Sequence, residues 1–415
     1  MPDFNLKDRF FDYVKIHTQA DPQAPVEKYP SSEIQKDLGR HLVRELLTLE
    51  VSDAEMDEHG VIYATLPSNV SYDVPTLCFC SHMDTSPDSP GDDVKPLLHK
   101  DYDGKDIVLP DDPSQVLTPD NHPNLEHKMG EDIITASGKT LLGADDKSGI
   151  AIIMALTEYL QAHPEIKHGD IRILFTCDEE IGRGVDRLDM EKLNADIGYT
   201  LDGSEKGVIE DETFSADSVT VHFTGVVEHP GYAYQKLVSA LKAASAFVHS
   251  WPQDGMSPET TTGKSGFVHP VSMEGTVEKA AIQFIIRDFE TEGLDQKFEY
   301  FQKIASKVKK EFPGIEIAMD RKEQYRNMKY IIDQHPEAVE YAIEAMKRAG
   351  LKPKKASVRG GTDGSRLSYM GLPCPNLFTG QQAIHGKQEW ISLQDMEKST
   401  QMLLELVQIY AEKSQ

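Results

Sequence analysis

Asp170-Ile171-Arg172-Ile173-Leu174-Phe175-Thr176-Cys177 runs straight into Asp178-Glu179-Glu180-Ile181-Gly182-Arg183-Gly184. The first eight residues are too short for a typical helix and rich in Ile, Leu and Phe, which predicts a buried strand. Three consecutive acids then stand where that strand ends. Crowded carboxylates repel one another unless cations or protons neutralise them. A solvated acidic turn is the plainer alternative. The functional reading is that one acid binds a metal while its neighbour shuttles protons.

Residues 150–160, upstream of this strand, are apolar at helical spacing and follow a glycine-bounded turn at 143–149. Further upstream, residues 61–66 and 76–80 read as strands, and 8–16 and 32–49 as amphipathic helices. In the second helix Leu38, Leu42, Leu46 and Leu47 are expected on one side. Strand and helix alternate, which predicts a mostly parallel α/β sheet with helices on both faces. Residues 87–131 turn to Asp, Pro, Gly and His, a long excursion of the kind that usually serves a site.

From about residue 215 the pattern changes. Strands are expected at 218–223, 280–289 and 315–319, with helices at 237–248 and 298–312. That order approaches β-α-β-β-α-β and predicts an inserted, ferredoxin-like α+β module. The expected division is therefore 1–212 and 327–415 for the larger domain, with 213–326 inserted.

The 415 residues carry 43 basic and 69 acidic side chains, a net charge of −26. A surface that acidic repels phosphate backbones and anionic lipid, so neither nucleic acid nor membrane is an expected partner. The first ten residues are charged and lack the apolar run of a signal peptide. No stretch is long and apolar enough to span a bilayer. Four cysteines in a chain this long do not make a disulfide framework, and a cytoplasmic location is the expectation.

Four more segments stand beside the acidic triplet. Ser81-His82-Met83-Asp84 places an imidazole and a carboxylate just after a strand, suiting a metal-bound His82 whose ring Asp84 orients, although a loop His near a turn Asp is the plainer reading of the pair alone. Gly143-Ala144-Asp145-Asp146 sets two carboxylates before a helix. An ordinary capped helix start explains them equally well, unless one bridges two cations. Tyr199-Thr200-Leu201-Asp202-Gly203 and Ala383-Ile384-His385-Gly386 are weak signals alone. Together the set offers mixed nitrogen and oxygen donors suited to zinc, with cobalt or manganese as substitutes. Asp145 bridging two ions, with two further ligands for each, makes a compact site.

Longer strings carry more. Gly138-Lys139-Thr140-Leu141-Leu142-Gly143-Ala144-Asp145-Asp146-Lys147, His229-Pro230-Gly231, Ile285-Ile286-Arg287-Asp288-Phe289, Arg359-Gly360-Gly361-Thr362-Asp363-Gly364 and Gly371-Leu372-Pro373-Cys374-Pro375-Asn376 accompany the segments above. In order and spacing this closely resembles the peptidase T family of two-zinc exopeptidases, over nearly the whole chain. The resemblance implies a zinc-exopeptidase-like catalytic domain, a lid and dimerisation role for the inserted 213–326 domain, and hydrolysis of the N-terminal bond of short peptides, tripeptides above all. It implies two Zn2+ per subunit, with His82 and Asp202 on one, Glu180 and His385 on the other, and Asp145 between them. It further implies Glu179 as general base, Asp84 as the partner of His82, His229 as an oxyanion donor to the facing subunit of a homodimer, and Arg287 as the anchor for the peptide carboxylate. Gly361 and Thr362 would line the substrate. The alternatives are a dipeptidase or N-acyl amino-acid amidohydrolase of the same superfamily, or a catalytically silent relative.

The sequence departs from the family pattern selectively. Glu228, Tyr232 and Tyr234 surround the His-Pro-Gly turn, and Gln381-Gln382-Ala383 replaces the family's Gly-Tyr-Asn before His385. The proposed metal ligands all match, whereas loops expected around the substrate have changed.

Overall fold

The computed structural model describes residues 4–252 and 254–415. They form two compact units. The larger unit holds the described residues up to Asp211, together with Tyr330–Ala356 and Thr362–Gln415.

An eight-stranded sheet organises it, in the order Glu55–Met56, Ile62–Leu66, Ile171–Thr176, Leu77–His82, Ile197–Gly203, Asn376–Phe378, Val208–Thr213, Lys354–Val358. Strand Leu77–His82 pairs in parallel with Ile171–Thr176 and Ile197–Gly203, and the latter pairs in parallel with Asn376–Phe378. Antiparallel strands extend this centre on both sides, so the sheet is mixed. The central strands are apolar on both faces, as a sheet covered on both sides requires. Because they run in parallel, His82, Thr176 and Gly203 end on one edge of the sheet, where ligands of open α/β sheets collect.

Helix Ala144–Ala162 packs against the sheet, but Asp145 and Asp146 have non-helical backbone angles. The two acids thus sit in a turn ahead of the regular helix rather than in its first turn. In helix Gln35–Thr48, Leu38, Leu42 and Leu46 are buried, whereas Leu47 is exposed. Leu47 lies about 100° around the helix from Leu46, which carries it off the buried stripe. Within 87–131, short strands Leu97–His99, Ile107–Val108 and Val116–Leu117 surround a small core of Tyr102, Leu109, Leu117, Leu125, Ile133 and Trp390.

The smaller unit comprises Glu212–Lys329 and Ser357–Gly361. Its antiparallel sheet has the order Phe267–Gly275, Lys279–Asp288, Ser215–Thr224, Glu316–Tyr325. Every second residue of Ser215–Thr224 points inward, and Val219, Val221 and Phe223 meet Phe247 and Phe301 from helices Ala240–His249 and Thr291–Glu311. Strand Phe267–Gly275 has no counterpart among the expected strands. Val271 and Met273 are exposed and the pairing is irregular after Pro270, so the apolar alternation is blurred there. Ser357–Gly361, expected in the larger domain, clusters with this unit. Arg359 donates to the carbonyls of Gly263 at 2.7 Å and Ser265 at 2.8 Å, and lies over the Phe214 ring.

Cys78, Cys80, Cys177 and Cys374 are buried and free. Among the described residues, no helix is long and apolar enough to cross a membrane.

Candidate metal centre

His82 closes its strand with the ring buried. Nε2 lies 3.0 Å from Asp145 Oδ1 and 4.0 Å from Asp202 Oδ1. On the other side of the site, His385 Nε2 lies 3.3 Å from Asp145 Oδ2 and 2.9 Å from Glu180 Oε2. Asp145 therefore gives one carboxylate oxygen to each imidazole, the arrangement a bridging ligand needs. Donors about 2.0–2.1 Å from a shared tetrahedral ion stand roughly 3.3 Å apart, within the range observed. Ligand atoms of His82, Asp145 and Glu180 lie within 4.8 Å of one another, as do those of His82, Asp146 and Asp202.

The local backbone explains how these side chains converge. The Asp145 turn is pinned by Glu389, a buried carboxylate that accepts the N–H groups of Leu142 at 2.7 Å, Gly143 at 2.8 Å and Asp145 at 3.0 Å. Gly149 lets the following helix close on the strands, since a Cβ there would stand 2.2 Å from Leu201 O and 2.3 Å from Ser81 Oγ. Asp202 is set by Asn376 Oδ1, which accepts its N–H at 3.0 Å. His385 has a positive φ of 65°, and its Nδ1 meets Asp88 Oδ2 at 3.1 Å.

Asp84 is fully buried. Its Oδ1 accepts the N–H of Glu179 at 3.0 Å and its Oδ2 that of Glu180 at 3.1 Å. The Nδ1 atom of His82 is closer to the Asp84 backbone oxygen, at 3.0 Å, than to its carboxylate, at 3.5 Å. The residue thus serves the His82 ring chiefly through its carbonyl, while its carboxylate holds the Glu179–Glu180 turn. The third acid of the triplet turns away. Asp178, in a left-handed conformation, takes the backbone N–H of Ser31 at 2.6 Å and Gln35 Nε2 at 2.7 Å. Its role is to anchor the turn.

Charge in the site is one-sided. Asp84, Asp145, Asp146, Glu179, Glu180, Asp202 and Asp363 surround His82 and His385. Burial pushes the carboxyls of Glu179, Asp202 and Asp146 well above their usual range, with neighbouring carboxyls adding to the effect. Burial and the Asp145 charge lift Glu180 to about 7. Asp145 moves the other way. Against the upward push of burial, hydrogen bonds to His385 and His82 hold it well below the carboxylate range. Hydrogen bonds to Asp145 and Glu180 raise His385 to about 11. Buried carboxyls in this excess call for cations. Among the described residues, the buried Glu180 Oε1 has no hydrogen-bond partner, as a carboxylate oxygen reserved for an ion would. The donor set and this unpaired oxygen fit metal ions.

The remaining expected site residues divide between the units. His229 is exposed in the smaller unit, with Nδ1 accepting from Gly231 N–H at 3.2 Å. Arg287, on strand Lys279–Asp288, reaches Gln324 Oε1 at 2.9 Å and covers the Tyr325 ring. Gly361 lies against that ring, where an added Cβ would come within 2.6 Å. Thr362 belongs to the larger unit and precedes helix Asp363–Tyr369.

The departures from the family pattern also divide. Tyr232 and Tyr234 are exposed, and Glu228 accepts the His229 N–H at 2.9 Å. Ala383 is exposed with φ of 50°. Gln381, expected near the substrate, is instead fully buried behind Asp202.

A model of peptidase family M20/M25/M40 matches residues 141–409. The chain is 46% identical over 408 residues to a peptidase T of Clostridium perfringens strain 13, covering 98% of this chain and 99% of that protein. Its fold is similar to that of an aminopeptidase PepT from Bacillus cereus, with a TM-score of 0.75 and 24% identity over 99% of both chains. It is also similar to a dinuclear metal-binding M20 peptidase from Bacillus subtilis, with a TM-score of 0.65 and 14% identity over 98% of both. Family and fold define a metallo-exopeptidase, a hydrolase whose candidate metal ligands cluster at the strand ends. The chain belongs to peptidase family M20/M25/M40 and, within it, to the peptidase T family.

Proposed function

We propose that the chain is an aminopeptidase releasing the N-terminal residue of short peptides, tripeptides first, with two zinc ions per subunit. His82 and Asp202 would hold one ion, Glu180 and His385 the other, and Asp145 would bridge. Bound there, the ions supply Lewis acidity and lower the pKa of water to near neutrality. Glu179 is the general base. It accepts a proton from the attacking water on its carboxylate and returns it to the leaving amine. Two adjacent acids with separate tasks require a rigid turn between them, and Asp84 holds both N–H groups of that turn. This single carboxylate, fixing base and ligand together, is the observation that carries the reading.

In the smaller unit, His229 would donate to the developing oxyanion of the facing subunit's site, and Arg287 would bind the peptide's carboxylate. Gly361 and Thr362 would complete the substrate wall. The protein would work as a cytoplasmic homodimer.

The test is a substrate panel on protein reconstituted with Zn2+, Co2+ or Mn2+, spanning di-, tri- and tetrapeptides and N-acyl amino acids. Preferential release of the N-terminal residue from tripeptides supports the proposal. Cleavage confined to dipeptides or N-acyl amino acids would replace it with one of the alternative hydrolases.

A further inference from the structure

Gln381 is fully buried, and its amide is spent on the site. Nε2 donates to Asp202 Oδ1 at 2.9 Å and to the Asp202 backbone oxygen at 3.2 Å. On the other side, Oε1 faces two hydroxyls, Thr379 Oγ1 at 3.2 Å and Ser148 Oγ at 3.4 Å. The reversed amide would turn its carbonyl onto a carboxylate, so the surroundings determine the orientation. The partners come from separate elements. Asp202 ends strand Ile197–Gly203, Ser148 lies in the helix that follows the Asp145 turn, and Thr379 follows strand Asn376–Phe378. Gln382 adds to the hold, with Nε2 donating to Ser204 O at 3.0 Å.

A carboxylate that is to receive an ion must be oriented, and partners behind a ligand commonly do this. Asp202 Oδ1 lies 4.0 Å from His82 Nε2, beyond hydrogen-bond reach, so the imidazole does not hold it. A neutral amide donor fixes the rotamer without adding a competing charge.

We propose that Gln381 is a positioning residue for metal capture. By holding Oδ1 of Asp202, it sets the affinity of the ion shared by His82 and Asp202, and leaves the ion shared by Glu180 and His385 unaffected. The proposal rests on the reading of Asp202 as a metal ligand.

Zinc titration of metal-free protein by calorimetry tests both claims in one series: wild type, Gln381→Met, Gln381→Glu and Asp202→Asn. Methionine keeps the length without a donor. Glutamate keeps the polar shape but faces Asp202 with an acceptor, and it serves if the methionine variant fails to unfold cooperatively. The wild type is expected to bind two equivalents. Either Gln381 variant should weaken one of them roughly 10- to 100-fold and leave the other at wild-type affinity, with Asp202→Asn abolishing the same equivalent. Wild-type affinities in the Gln381 variants, with one equivalent lost in Asp202→Asn, overturn the inference and leave Asp202 a ligand. Equal weakening of both equivalents also overturns it, since Gln381 would then act as general core. Two full-affinity equivalents in Asp202→Asn would remove Asp202 from the ligand set, and the inference with it.

Discussion

The carboxylate of Asp84 lies beneath the turn that carries Glu179, with Oδ1 accepting the Glu179 N–H at 3.0 Å. Its other oxygen takes the next N–H, that of Glu180. The residue that follows the His82 strand thus ties one candidate ligand to the candidate base and to a second ligand.

Asp84→Asn should disturb all three. An amide group offers one acceptor oxygen where the carboxylate offers two, so one buried N–H loses its partner, at a cost of about 1–3 kcal/mol. We expect lower thermal stability, a fall in kcat, and zinc affinity weakened roughly 10- to 100-fold. Metal content, kcat and unfolding midpoint measured on one preparation check this. Unchanged metal content with unchanged kcat would mean that the Asp84 carboxylate positions nothing.

Glu389→Ala should destabilise the metal-free protein. It strips the acceptor from the N–H groups of Leu142, Gly143 and Asp145 at once. Each buried donor left unpaired costs about 1–3 kcal/mol. Chemical denaturation of metal-free wild type and variant should show a loss of at least about 2 kcal/mol. A loss under about 0.5 kcal/mol, the size of an ordinary surface change, would show that the turn holds without it.

Gly149→Ala should separate the helix from the strands it meets. The added Cβ would stand 2.2 Å from Leu201 O and 2.3 Å from Ser81 Oγ, both backed by rigid strands. Since Leu201 precedes Asp202 and Ser81 precedes His82, zinc affinity should drop along with stability. Wild-type zinc binding, measured by titration, would show that the interface absorbs the methyl group.

Ala383→Asn should stabilise the chain. Ala383 sits at φ of 50°, where an ordinary residue is disfavoured by roughly 1–2 kcal/mol and Asn is tolerated. Its side chain is exposed, so no buried partner is lost or gained. The unfolding midpoint should rise. A fall would show that this turn disfavours a longer side chain more than its backbone favours Asn.

Much of this was legible in the chain itself. His82 and Glu180 stood out as candidates because they sit at or just past the ends of apolar strands, where a polar donor is conspicuous. Asp145, Asp202 and His385 needed the company of the others. The alternation of Val219, Val221 and Phe223 announced its strand, while Phe267–Gly275, with Val271 and Met273 exposed, gave no such pattern. Glu389 escaped notice, Asn376 figured only inside a longer string, and Gln381 only as a departure expected near the substrate. For each, only the buried contacts that the fold creates reveal the task. Asp178 stands in the same acidic triplet but has a different task. Adjacent residues in a tight turn point in different directions, and the left-handed backbone at Asp178 sends its carboxylate to Ser31 and Gln35, away from His82.

The proposed division of labour between adjacent acids, Glu180 binding metal and Glu179 moving the proton, is tested most directly by Glu179→Gln. Glutamine preserves size and cannot accept the proton. Bound zinc and tripeptide turnover are measured on the same zinc-reconstituted preparation. Two zinc ions per subunit with kcat lowered by roughly 100-fold or more is the expected result. A variant that keeps both ions and turns over tripeptides near the wild-type rate would contradict it.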